Sequence, residues 1–136
     1  MATQTQATRF VMVKVAPGEL LDKITILQIK EERVKDEAKL TNIRHELAEL
    51  QNVQTSEVPQ SDELSRLFAE LKAVNMRLWD IEDDIRDCER NKDFGPKFVE
   101  LARSVYFQND QRAKLKRQVN ELLGSEIVEE KSYQAY

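Results

Sequence analysis

The strongest constraint on the fold is a run of apolar side chains that repeats every three or four positions between residues 64 and 88. Eight positions follow this rule without interruption, namely Leu64, Leu67, Leu71, Val74, Leu78, Ile81, Ile85 and Cys88. This spacing places all of them on one stripe of an α-helix, as in a coiled-coil seam. The sequence therefore predicts a long helix over about residues 62–92, with the hydroxyl of Ser61 as its N-cap.

Two further helices are predicted, one before and one after this helix in the sequence. Pro17 is suited to a first helical position, and apolar residues at helical spacing continue from there with a shift in phase. We interpret the shift as a single helix over about 17–52 that contacts two neighbours, followed by a loop over 51–60. The last helix is predicted over about 96–123, because Gly124 suits the left-handed position after a helix end.

These helices predict a mainly α fold, an antiparallel three-helix bundle with long coiled-coil-like helices. The chain has 136 residues and only three glycines and three prolines, which favours one helical domain over a turn-rich sandwich or barrel. We assign that domain to residues 10–136 and predict a disordered polar N-terminus over 1–9.

Short terminal strands are also possible. Phe10–Val15 alternates in the manner of a strand, and Glu126–Glu129 is the other extended candidate. The two segments either pair with each other or pair across a dimer axis.

Composition narrows the classes of partner. The formal net charge is −4, which disfavours binding to nucleic acid. No apolar stretch is long enough to cross a bilayer or to act as a secretion signal. A single cysteine, Cys88, cannot form an internal disulfide, so we expect a cytoplasmic protein in a reducing compartment.

Polar side chains flank the apolar stripes in one half of the predicted bundle, where they could form a ligand site. The candidates are Lys30, Trp79, Glu82, Arg86, Tyr106, Asn109 and Arg112. Lys30, Arg86 and Arg112 would bind an anionic group of the ligand. Glu82 and Asn109 would form hydrogen bonds with its hydroxyls, and Trp79 or Tyr106 would provide a stacking face. The alternative, which we favour, is a structural network, since residues 80–89 carry six acids and residues 108–118 carry four bases.

Catalytic patterns are weak. Glu82, Asp83 and Asp84 could attract magnesium, but no companion helix supplies a matching pair of acids, and no cofactor or metal site is predicted. His45 has no evident partner for nucleophilic chemistry. We therefore expect a chain that is not an enzyme, with a magnesium-dependent phosphohydrolase as the less favoured alternative.

Four blocks carry a resemblance to a known family: residues 17–27 (PGELLDKITIL), 78–86 (LWDIEDDIR), 98–106 (FVELARSVY) and 129–133 (EEKSY). Read in order, they make the chain, over about residues 10–136, resemble an uncharacterised bacterial and phage family of small helical proteins. Members of that family can stand beside glycosyltransferase or tetratricopeptide-repeat regions. The resemblance implies no catalytic residue, and it implies a link to sugar or cell-surface biosynthesis by association alone.

The leading hypothesis is a non-catalytic helical interaction or accessory module, acting as a homodimer or with a protein partner. The alternative is a binding protein for a small anionic or sugar-nucleotide ligand, held by the seven polar candidates.

Overall fold

A computed structural model describes residues 9–136 and contains four helices in that range. They are α1 (Pro17–Arg33), α2 (Glu37–Glu57), α3 (Asp62–Arg90) and α4 (Pro96–Leu122). The expectation of a mainly helical chain is confirmed, whereas the number of helices, three, is wrong. Apart from Arg9, the N-terminal segment predicted to be disordered lies outside the described residues.

The additional helix arises because the predicted helix 17–52 is broken after Arg33. Val34 is extended, and Asp36 begins a new helix by accepting hydrogen bonds from the backbone N–H groups of Ala38 and Lys39 at 2.9 and 3.2 Å. An aspartate at this position satisfies N–H groups that a helix start otherwise leaves free. The phase shift in the apolar pattern therefore marks a break between two helices, not one helix with two neighbours.

The predicted loop over 51–60 is also shorter than expected. α2 continues to Glu57, and the hydroxyls of Thr55 and Ser56 donate to backbone carbonyls of its preceding turn. The absence of an apolar stripe predicts a loop here, but the last turn of α2 is exposed to solvent and needs no such stripe. The connection to α3 is reduced to residues 58–61.

α3 and α4 form an antiparallel pair. The hydroxyl of Ser61 accepts from the N–H of Leu64 and caps α3, as the sequence predicts. A short connection over 91–95 joins the two helices, and a hydrogen bond of 3.0 Å between Arg77 and Gln108 spans them. α4 ends before Gly124, whose φ is +64°.

α1 is the central element, because it contacts α2, α3 and α4. Among the described helices, the α2 backbone approaches closely only that of α1. One apolar core joins side chains of all four helices: Leu20, Leu21, Ile24, Leu27, Leu47, Leu64, Leu67, Leu71, Val74, Leu115 and Val119, with Val58 from the connection before α3. The first half of the α3 seam is thus fully buried, and Leu78, Ile81 and Ile85 are half-buried.

The predicted terminal strands are absent from residues 9–136. Phe10–Val15 runs exposed before α1, and the segment after Ser125 contains no regular structure. A strand needs a neighbouring backbone to satisfy its amides and carbonyls. Here the C-terminal segment follows α4 through side-chain contacts instead.

None of the helices between residues 9 and 136 combines the length and the apolar character that a bilayer crossing requires.

Gly18 allows α1 to approach α4 closely. A Cβ atom at this position would lie 2.5 Å from the backbone oxygen of Lys116 and 2.8 Å from Oδ1 of Asn120. We predict that Gly18→Ala lowers the free energy of unfolding by about 1–3 kcal/mol, because the α4 backbone cannot yield without separating the helices. Urea unfolding measures this. At an exposed helical glycine the same change would stabilise by up to about 1 kcal/mol, so a gain would contradict the close approach.

Candidate functional site

The most structured polar site is a buried cluster where α1, α3 and α4 meet. Asp22 on α1 is 1% exposed and Thr25 is fully buried. The side-chain amide of Asn75 on α3 donates to Oδ1 of Asp22 at 2.9 Å and to the Thr25 hydroxyl at 2.8 Å. From α4, Arg112 donates through Nε to Oδ1 of Asp22 at 2.9 Å and through Nη2 to Oδ2. The Asp22 carboxylate thus holds three helices together.

Helical spacing explains why α1 supplies these groups. Gly18, Asp22 and Thr25 are separated by four and three residues, so they share one face of α1. The Thr25 hydroxyl also donates to the Asp22 carbonyl one turn earlier at 2.7 Å. This face is polar, although it is directed into the molecule.

α4 also completes the first turn of α1. Ala16 occupies the N-cap position and offers no side-chain oxygen. Oδ1 of Asn120 accepts instead from the Gly18 N–H at 2.7 Å, and Lys116 pairs with Glu19 at 2.7 Å. A helix begins with free N–H groups that need acceptors, and here the neighbouring helix provides one.

Ion pairing stabilises the charged form of both basic residues. The hydrogen bond to Asp22 raises the pKa of Arg112 above its ordinary value, despite partial burial. Burial lowers the pKa of Lys116, but the hydrogen bond and charge of Glu19, with the charges of Asp22 and Glu129, outweigh it and raise that pKa. Each cation therefore already has an acidic partner.

The cluster is satisfied internally. Within residues 9–136 no buried side-chain nitrogen or oxygen lacks a hydrogen-bond partner. Asp22, Asn75 and Arg112 use their hydrogen-bonding groups on one another. The arrangement therefore fixes how the helices dock.

The seven candidates from the sequence divide into two groups. Tyr106, Asn109 and Arg112 line an open cleft of about 1150 Å³ between α4 and the C-terminal segment. Lys30, Trp79, Glu82 and Arg86 are not among its lining residues.

Glu82 and Arg86 bond to each other at 2.8 Å on an exposed face of α3. Lys30 and Trp79 are half-buried elsewhere. No three His, Cys, Asp or Glu side chains converge on a metal position within the part of the chain that the structure describes. The acids at Glu82, Asp83 and Asp84 thus offer the magnesium hypothesis no converging ligand set.

Sequence reasoning missed Asp22 and Thr25 as site residues. A signal was present, because Asp22 and Thr25 lie at helical spacing on the same face as Gly18, within the stretch Leu20–Leu27 that is apolar apart from them and the exposed Lys23. Its partners lie 50 to 90 residues away along the chain. The pattern of residues within one helix does not identify partners that lie so far away in the sequence.

A comparison with family profiles matches residues 11–136 to DUF6165, a family of unknown function. The chain belongs to this family. The match includes all four helices and the C-terminal segment, so the cluster and the cleft both lie within the family domain. No match was found among curated proteins or among solved structures.

We predict that Asp22→Asn lowers the free energy of unfolding by about 3 kcal/mol, because Arg112 then loses its counter-charge in a half-buried position. Glu82→Gln, which breaks the exposed pair with Arg86, serves as the matched control, with an expected loss of less than about 1 kcal/mol. Urea unfolding of the two variants gives the comparison. Equal losses would show that the buried pair has no special role in stability.

Proposed function

We propose that this chain is a non-catalytic helical interaction module that self-associates through Phe10–Val15. The observation that carries the proposal is the exposure of this segment: Phe10, Val11, Met12 and Val13 are 73, 76, 83 and 73% exposed. The segment forms no backbone hydrogen bond with another described residue. A run of large apolar side chains with free backbone groups favours pairing with another chain.

The pattern of the segment favours a second copy as that chain. In an antiparallel pair centred on Val13, Val11 lies opposite Val15 of the other copy, and Val13 lies opposite itself. One face of the ribbon then consists entirely of valine, a residue that packs well across strands. The arrangement has two-fold symmetry, which is the usual symmetry of a homodimer.

Neighbouring apolar groups support the same site. A two-stranded ribbon is marginal in water unless its apolar face packs on something. Leu122, Ile127 and Val128 are 43, 39 and 62% exposed. They lie at the end of the molecule from which the segment emerges, because Gly18 bonds to Asn120 and Glu129 bonds to Lys116 there. Ribbon and helices would bury these side chains together.

The proposal extends to cellular context. The buried free thiol of Cys88 agrees with a cytoplasmic, reducing compartment. The resemblance described from the sequence blocks supports a bacterial or phage origin and an accessory role beside a glycosyltransferase or tetratricopeptide-repeat region.

Light scattering across a concentration series tests the self-association. We expect the wild-type protein to have a mass in solution of twice 15.9 kDa, the mass of one chain. The double variant Val11→Asp, Val13→Asp should be monomeric, because the carboxylates at position 13 of the two copies would face each other in the ribbon. Val99→Asp is the matched control, since Val99 is 51% exposed on α4, far along the chain from the segment. A wild-type monomer, or a double variant that still dimerises, would refute the proposal.

A second candidate function is binding of a small sugar-containing ligand in the cleft on α4. The supporting observation is its volume, about 1150 Å³, with Tyr106 and Asn109 in its wall. Arg112 and Lys116 are already paired with acids, which favours a hydroxyl-rich sugar over a free anion.

Thermal shift with a panel of sugars, sugar phosphates and nucleotide sugars tests this function. Ligand at about 100 times its dissociation constant adds roughly 2.7 kcal/mol of stability. We expect that gain to vanish in Asn109→Ala and to persist in Glu82→Ala. A panel without any shift would exclude the function for those compounds.

A further inference from the structure

The C-terminal segment folds back along α4 after the turn at Gly124. Three polar contacts join it to two positions of α4, Lys116 and Asp110. Glu129 bonds to Lys116 at 3.3 Å, Lys131 bonds to Asp110, and the Tyr136 hydroxyl also donates to Asp110. We call residues 129–136 the strap.

The strap places one aromatic ring against an aromatic surface of α4. The centroid of the Tyr136 ring lies 5.1 Å from that of Tyr106 and 5.0 Å from that of Phe107, the latter edge to face. These are the separations at which aromatic pairs attract. The guanidinium of Arg103 lies 6.0 Å from the Phe107 centroid on the same helix.

Asp110 accepts hydrogen bonds from two side chains of the strap, Lys131 and Tyr136. Its hydrogen bonds from Lys131 and from Tyr136 hold its pKa below the ordinary value of 3.8, so it is a charged acceptor near neutral pH. The α4 face of Tyr106, Phe107 and Asp110 therefore combines an aromatic platform with one negative charge. It is complementary to a basic side chain together with a phenol ring.

The strap occupies this face only loosely. Tyr106 and Phe107 remain 41 and 42% exposed beneath it, and Tyr136 itself is 73% exposed. No backbone hydrogen bond ties residues 129–136 to another described residue. None of the contacts of the strap belongs to the apolar core, and ion pairs near the surface contribute little stability.

We propose that the α4 face of Tyr106, Phe107 and Asp110 is a binding surface for a polypeptide segment that carries a basic side chain and a phenol ring. The strap occupies this surface within the same chain and competes with the partner. An intramolecular segment that is docked about nine-tenths of the time weakens the apparent affinity for a competitor about tenfold. The inference does not depend on self-association through Phe10–Val15.

The test uses a synthetic peptide with the sequence of residues 129–136 (EEKSYQAY), added to isotopically labelled full-length chain and followed by NMR. The receptor is compared as wild type and as Lys131→Ala, Tyr136→Ala, which removes the contacts of the strap with Asp110. We expect the peptide to shift the amide signals of residues 103–113, and to bind the double variant about tenfold more tightly than the wild type.

Tyr133→Phe is the matched control, because Tyr133 is 86% exposed and phenylalanine keeps the ring that lies 5.5 Å from Nζ of Lys131. This variant should bind the peptide as the wild type does. A peptide with both Lys131 and Tyr136 replaced by alanine should not bind, and Asp110→Asn in the receptor should weaken binding.

Three results would overturn the proposal. In the first, the peptide does not bind the double variant. In the second, it binds the wild type and the double variant equally well. In the third, the peptide with Lys131 and Tyr136 replaced by alanine binds as well as the original peptide. These results are independent of the self-association proposal. That proposal is tested by the mass in solution, and it concerns Phe10–Val15 at the other end of the described chain.

Discussion

The carboxylate of Asp22 is the group on which the docking of α1 depends. Burying a charge is unfavourable unless its oxygens are fully bonded, and here Arg112 and Asn75 supply the donors from two different helices. Both donors reach Asp22 at only one position and rotation of α1. An apolar stripe alone would tolerate sliding by a turn, whereas this network does not.

The docking of α1 organises the rest of the molecule. Gly18 permits contact with the α4 backbone, and Asn120 then completes the first turn of α1. With α1 placed between the α3–α4 pair and α2, the break at residues 34–36 lets α2 begin in a new direction, and Leu47 of α2 joins the common core. The buried polar cluster thus bonds α1 to both α3 and α4.

The two surfaces that we propose for partner binding lie outside this framework. Phe10–Val15 precedes α1 and offers exposed apolar side chains, and its backbone makes no hydrogen bond to another described residue. The strap follows α4 and covers an aromatic, acidic face. The first surface is free among the described residues, and the second is occupied loosely. Under the two proposals, both segments would change their contacts while the helical core stays the same.

Local chemistry in the sequence determined the helical class, the start of α3 at the Ser61 cap and the turn at Gly124, since each depends on a few adjacent residues. The Asp36 cap was equally local, yet it was overlooked because the apolar stripe on either side suggested continuity. Only the tertiary structure decided that Asp22 meets Arg112 and Asn75, that Glu82 and Arg86 neutralise each other at the surface, and that Tyr136 lies on Tyr106. Those outcomes depend on how helices distant in sequence dock, and residue spacing within one helix carries no information about the helix opposite.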